Sequence, residues 1–182
     1  MSNSIIEELQ SDNSRLVKES IIQREVLAKN DIFFEGCKLA LDPLVTFGVK
    51  QVPTRDDKSA EGLNWEVFKD LCDSLAQRTL TGHDARDAIL ASMEACDTDV
   101  WNGWYRRILI KDLKCGVSEK TINKVCKKNK AIDYMIPVFS CMLAHDSANH
   151  EKKLVGKKML DYKLDGVRVL AIYNKDNNTV TM

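Results

Sequence analysis

Lys163-Leu164-Asp165-Gly166-Val167-Arg168 sets an amine and a guanidinium on either side of a tight turn. A lysine amine is a nucleophile only when deprotonated, and burial or a neighbouring cation lowers its pKa toward neutrality. Asp165-Gly166 is a turn dipeptide, because glycine reaches backbone angles closed to other residues. The run Val169-Leu170-Ala171-Ile172-Tyr173 that follows reads as a strand. The pattern predicts one strand delivering Lys163, a turn that lifts Asp165, and a second strand carrying Arg168 back alongside. Lys163 and Arg168 then address one phosphorylated ligand from two sides, Arg168 with the planar fork that suits phosphate or ribose oxygens. The plainer alternative is an ordinary hairpin, with the two cations as a solvated cross-strand pair.

These six residues resemble motif I of the covalent nucleotidyltransferases, which are ATP-dependent DNA ligases, RNA ligases and mRNA capping enzymes. The resemblance implies that Lys163 attacks the nucleotide α-phosphate and becomes adenylated. It further implies that Lys163, Arg168 and Asp161 surround the nucleotide, and that ATP and Mg2+ are the cofactors. Asp161 stands two residues before the lysine, where the family often carries Glu, Gln or another residue.

The elements ahead of this stretch carry an uneven charge. The whole chain of 182 residues is formally neutral. Residues 1–102 hold 11 basic and 19 acidic groups, whereas residues 103–130 hold 9 basic and 2 acidic, a local net of +7. A basic block inside a neutral protein is the electrostatic footprint of a polyanion partner. Within the block, Asp112-Leu113-Lys114-Cys115-Gly116-Val117 reads as a helix end, a glycine turn and a restart, with Ser118 capping the next helix. Such a turn offers phosphate the N–H groups of the second helix, aided by its dipole. Lys111, Lys114, Lys120, Lys124, Lys127 and Lys128 supply cations around it. Lys111, Lys114, Gly116, Ser118, Lys120 and Lys124 are therefore the expected DNA contacts. The alternative is a structural helical hairpin with a solvated basic face.

Residues 75–125 also resemble the helical DNA-binding domain of ATP-dependent DNA ligases, with the closest likeness to those of T-even-like bacteriophages. The matching words are Leu80-Thr81-Gly82, Arg107 followed by Lys111-Asp112-Leu113-Lys114-Cys115-Gly116, and Asn123-Lys124-Val125. The resemblance implies a grip on duplex DNA through phosphates and the minor groove, with a nick or strand break as the substrate. The two resemblances fall in the family's order along the chain. A non-catalytic duplex-DNA-binding module and an RNA ligase or capping-type enzyme are the competing readings; the helical domain argues against the latter.

The rest of the chain reads as support. Residues 4–41 are helical by pattern, with Ser4 and Glu7 forming a capping box and Leu16, Val17, Ile21, Ile22, Val26 and Leu27 facing inward. Lys29-Asn30 closes that helix, and Phe33, Phe34, Leu39, Ala40 and Leu41 are core candidates. Residues 42–62, punctuated by Pro43, Gly48, Pro53 and Gly62, form a connector. Asn64 caps a helix to about Arg78, Thr81-Gly82 opens another to about Cys96, and Asp97 caps a third. That third helix has a stripe of Trp101, Trp104, Tyr105 and Ile108, whose spacing favours core packing over base stacking.

The expected fold is mainly α: a helical DNA-binding domain over 1–130, a linker over 131–158, and over 159–182 the β-hairpin start of an α+β nucleotidyltransferase domain. The family's later motifs, a Ser-Arg-x-Gly element and an acidic metal motif among them, are absent from these 182 residues. The expectation is thus the N-terminal part of a ligase, inactive by itself. With 44% hydrophobic and 30% charged residues, the composition is that of a soluble protein. No apolar run approaches the roughly 18 residues that cross a bilayer, so no membrane partner is expected. The six cysteines are widely spaced without a Cys-x-x-Cys, which suits free thiols in a reducing cytoplasm, a host's if the source is viral. Cys141, His145 and His150 lack a fourth ligand for a structural zinc, so no metal site is assigned. A monomer is expected.

Overall fold

The computed structural model describes residues 2–57, 62–139, 147–159, 162, 171–175 and 178–181. Two compact units divide the chain, Met1–Ser140 and Cys141–Met182. The first is helical: α1 (Ser2–Ser11), α2 (Arg15–Leu27), α3 (Asp31–Leu41), α4 (Trp65–Ala76), α5 (Gly82–Glu94), α6 (Thr98–Val100), α7 (Arg106–Leu109) and α8 (Glu119–Lys128). A π-helical stretch, Trp101–Tyr105, joins α6 to α7 without a break, and the Arg106 N–H donates to the Trp101 carbonyl five residues back. In the second unit, β1 (Ile172–Asn174) pairs antiparallel with β2 (Thr179–Thr181), Tyr173 opposite Val180. The fold is mainly α with a small antiparallel sheet near the C-terminus, the class the pattern predicts, but the strands are 172–174 and 179–181, and the hairpin expected around Asp165-Gly166 lies outside the described residues. Among the described residues no helix is long and apolar enough to cross a membrane.

Local sequence explains most helix starts. The Asn64 side chain accepts from the Glu66 N–H at 2.8 Å, and Asp97 accepts from the N–H groups of Asp99 and Val100. Asn30 caps α3 by accepting from Phe33, and Lys29 before it turns the chain at φ 51°. The boundary at Lys29-Asn30 is the expected one. The capping box at Ser4 is not formed: α1 already begins at Ser2, so Ser4 lies inside it.

Aromatic side chains fill the centre. Trp101, Trp104, Phe33, Phe34 and Phe68 are almost wholly buried. Phe33 stacks on Trp104 at 6.0 Å, and Phe68 meets Tyr105 at 4.3 Å. Gly36 permits the close approach of α3 to this rod, since a Cβ there would run into the Trp104 indole. Along α4, Trp65, Phe68, Leu71, Cys72 and Leu75 are buried at helical spacing. In α2 only part of the apolar set turns inward: Ile21, Ile22 and Val26 are buried, while Leu16 and Leu27 are 77% and 71% exposed.

The connector is pinned rather than loose. Trp101 Nε1 donates to the Pro53 carbonyl at 3.0 Å, Arg106 Nε to the Val52 carbonyl at 2.9 Å, and Tyr105 Oη to the Leu63 carbonyl at 3.0 Å. Asn102 bonds both the N–H and the carbonyl of Arg55. Arg55 itself is buried, and its guanidinium donates to the carbonyls of Met93, Glu94 and Cys96 and pairs with Asp57 at 2.6 Å. A cation on the last carbonyls of α5 satisfies groups the helix leaves open and complements its dipole.

Candidate nucleic-acid interface

The turn between α7 and α8 is built by three left-handed residues. Lys111, Lys114 and Gly116 have φ of 60°, 51° and 65°. Asp112 stabilises the bend by accepting from the Lys114 N–H at 2.9 Å. Leu113, Cys115 and Val117 alternate into the core, so the residues between them face outward. Arg107 ties the turn to the helices behind it, donating to the Leu113 carbonyl at 2.9 Å and to Gln10 Oε1 at 3.1 Å.

Lys18, from α2, braces the turn from beneath. It is only 7% exposed and donates from Nζ to the Cys115 carbonyl at 2.7 Å. A Cβ on Gly116 would stand 2.7 Å from that Nζ. Glycine suits position 116, whose φ of 65° favours it and whose bare Cα leaves room for the ammonium. Sequence reading missed Lys18, because its partner lies 97 residues away.

Beyond the turn, α8 separates its faces cleanly. Ile122, Val125 and Cys126 are buried, while Lys120, Lys124, Lys127 and Lys128 are exposed. Ser118 occupies the cap position, its carbonyl accepting from Thr121 and Ile122. Its hydroxyl makes no cap bond to the backbone and lies 3.5 Å from Thr121 Oγ1. Asn123 locks the following segment by bonding both the carbonyl and the N–H of Ile136.

The lysines expected at phosphates do not stand alike. Lys114, Gly116, Ser118 and Lys120 are all exposed on one turn and the helix start after it. Lys124 is exposed too, but it pairs with Glu19 at 2.6 Å, and that hydrogen bond holds the Glu19 carboxyl below its ordinary pKa. Lys111 turns inward. Its Nζ donates to the carbonyls of Leu39 and Asp42, each at 2.7 Å, and lies 5.6 Å from the Phe47 ring centre. Burial lowers its pKa to about 8, against the opposing pull of Asp42. Asp161, Lys163 and Arg168 lie outside the described residues, as do Cys141 and His145; Tyr162 is 92% exposed. Among the described residues no three His, Cys, Asp or Glu side chains converge as metal ligands.

The fold and this edge define a mainly helical unit that presents a braced, lysine-rich turn. No family model matches the chain, and no curated protein matches it. Chains of solved structures do, two of them as follows. One, named "Pmar-Lig_Pre.", is 56% identical over 99% of this chain with a TM-score of 0.78. The other, "Pmar-Lig_PreS3", is 56% identical over the same share with a TM-score of 0.79. The chain spans 41% of the length of each. It is therefore similar, over nearly its whole length, to structures whose names point to a ligase.

Proposed function

We propose that the chain forms the DNA-holding part, and the opening of the nucleotidyl-transfer part, of an ATP-dependent DNA ligase that seals breaks in duplex DNA. The observation that carries this is the 56% identity over 99% of the chain to the two structures whose names contain "Lig". The Lys163–Arg168 stretch supports the chemistry, and the exposed cations of the α7–α8 turn support the partner.

On this reading the Lys163 amine attacks the α-phosphorus of ATP; a P–N bond forms and pyrophosphate leaves. The lysine then yields AMP to the 5′-phosphate of a break, and the adjoining 3′-hydroxyl displaces AMP to close the strand. Arg168 and Asp161 hold the nucleotide. Magnesium, when bound, neutralises phosphate charge. Lys114, Lys120 and the start of α8 hold the duplex by its phosphates, which positions it without reading sequence. Lys124 contributes less than Lys120, because Glu19 already offsets its charge.

Two measurements test the proposal. Fluorescence anisotropy of the 182-residue chain with a nicked duplex gives weak, sequence-independent binding that falls steeply with salt. Lys120→Gln lowers the slope of log K against log salt by about 0.9. In an enzyme of the relatives' length carrying this sequence, Lys163→Ala abolishes covalent labelling by radioactive ATP and joining of fresh nicks. It spares joining of nicks already adenylated, because the amine acts only in the first step. Labelling that survives Lys163→Ala refutes the nucleophile. DNA binding without any labelling of the unsubstituted enzyme leaves only a non-catalytic module.

A further inference from the structure

The chain before residue 103 is acidic, yet one cavity in it is lined by cations. A cavity of about 510 Å3 opens between residues 47–53 and the turn joining α4 to α5. Lys50, Arg78 and Arg86 line it, and no aspartate or glutamate does. Elsewhere in the unit Arg15, Arg24, Arg55, Lys69 and Lys124 each sit against a carboxylate. Among the described residues no such ion pair engages Lys50, Arg78 or Arg86. Three like charges around one opening repel one another until an anion enters.

The walls are fixed before any ligand arrives. Phe47 and Val52 are 3% and 6% exposed, and the carbonyls of Val52 and Pro53 are held by Arg106 and Trp101. Arg78 ends α4 at φ 61° and lays its guanidinium against Gly48. The bare Cα of Gly48 leaves room for the guanidinium, and its φ of 68° is an angle that favours glycine. A preformed site loses little ordering entropy on binding. Thr81 and Gly82, where α5 begins, form part of the rim, and the Thr81 side chain makes no cap bond. The helix dipole there adds to the attraction for an anion set up by the three side chains. Phe47, Ala85 and Ile89 give the cavity an apolar floor.

We infer that this cavity is a second nucleic-acid contact, taking a backbone phosphate between Lys50, Arg78 and Arg86 with its sugar against the half-buried Leu80 and Leu90. The inference rests on the DNA reading proposed above. The volume exceeds what a bare phosphate fills, and an apolar floor beneath a cationic rim suits a sugar joined to its phosphate. Phe47 is also the ring beneath Lys111, so the same side chain supports the cavity and the start of the α7–α8 turn. Two separated phosphate contacts on one rigid unit fix a strand's direction, which a single contact does not.

The test uses the 182-residue chain and a nicked duplex, with anisotropy over 50–200 mM salt. Arg78→Gln with Arg86→Gln should lower the salt slope by about 0.9 for the phosphate released, and Lys120→Gln should lower it independently by a similar amount. Lys50→Gln with Arg86→Gln leaves Arg78 on Gly48 and gives the same reading should the first pair fail to fold. An unchanged slope in folded cavity variants, with Lys120→Gln still effective, overturns this inference and leaves the DNA reading standing. Loss of all binding by the unsubstituted chain overturns both. A titration with inorganic pyrophosphate separates the source of the phosphate. Heat that the cavity variants abolish, with no change in their DNA slope, marks a site for free anions and overturns the strand assignment.

Discussion

The two units treat their apolar side chains in opposite ways. In Met1–Ser140, tryptophans, phenylalanines and isoleucines from seven α-helices and the π-helical stretch close over one another, and Trp101, Phe34 and Ile108 are shut off from water altogether. In Cys141–Met182, most described large hydrophobics are open, Met159 at 93%, Val155 at 76%, Tyr173 and Val180 at 59% each, and only Ile172 among the described ones is half-buried. The first unit contains its own reason to fold, since burial of apolar area is the main favourable contribution. The second has a two-stranded hairpin, an arrangement that is marginal in water unless a hydrophobic face is covered. The basic turn belongs to the unit that has the buried apolar area.

Four experiments probe this difference, and the largest effect is expected at the centre of the first unit. Trp104→Ala removes the ring that Phe33 and Trp65 pack against and should cost about 3–5 kcal/mol in denaturant unfolding. Gly36→Ala presses a methyl into the same indole and should cost about 1–3 kcal/mol. Combined with Trp104→Ala, its cost should shrink, and strict additivity of the two would mean that they do not meet.

The pH dependence comes next. Burial raises the thiols of Cys37, Cys72, Cys96, Cys115 and Cys126. Above pH of about 8.5 the unfolded chain releases thiol protons that the folded chain keeps, so stability falls as pH rises. Lys111 opposes this: its folded pKa of about 8 lies below the unfolded value of about 10.4, so its share of stability grows between them. Five thiols outweigh one amine. Melting temperature should fall from pH 8 to pH 10, and more steeply in Lys111→Met. A shallower fall in that variant contradicts the burial of Lys111. The smallest effect is expected in the second unit, where Tyr173→Ser should alter stability by less than about 0.5 kcal/mol. A loss comparable to that of Trp104→Ala would show that the hairpin has a cover and would erase the contrast.

What the sequence made legible is local. The caps at Asn64 and Asp97 and the stripe of Trp101, Trp104, Tyr105 and Ile108 follow from residue type and spacing within a few positions, and all are present. Three ionic groups buried among the described residues were hidden. Lys18, Glu25 and Arg55 occur in polar stretches and look solvated in a linear reading. Arg55 finds its carbonyls 38 to 41 residues away and Lys18 its carbonyl at a separation of 97, distances over which periodicity carries no information. Leu16 and Leu27 show the reverse failure, since they fit a helical apolar pattern yet face water. The basic turn was legible as a cluster, but not the inward turn of Lys111 or the pairing of Lys124. Asp161, Lys163 and Arg168, the residues proposed for nucleotidyl transfer, lie outside the described residues.

The hydrogen bond from Lys18 to the Cys115 carbonyl also has a consequence in time. A ribosome adds about 5–20 residues per second, so residue 115 emerges about 5–20 s after residue 18. Through that interval α2 has no α8 to pack on, and Ile21, Ile22 and Val26 await a partner not yet made. Contacts of such long separation are rewarded only after the intervening chain has closed. The turn that carries the outward lysines is thus completed near the end of the first unit's synthesis, by a residue that was among the first to be made.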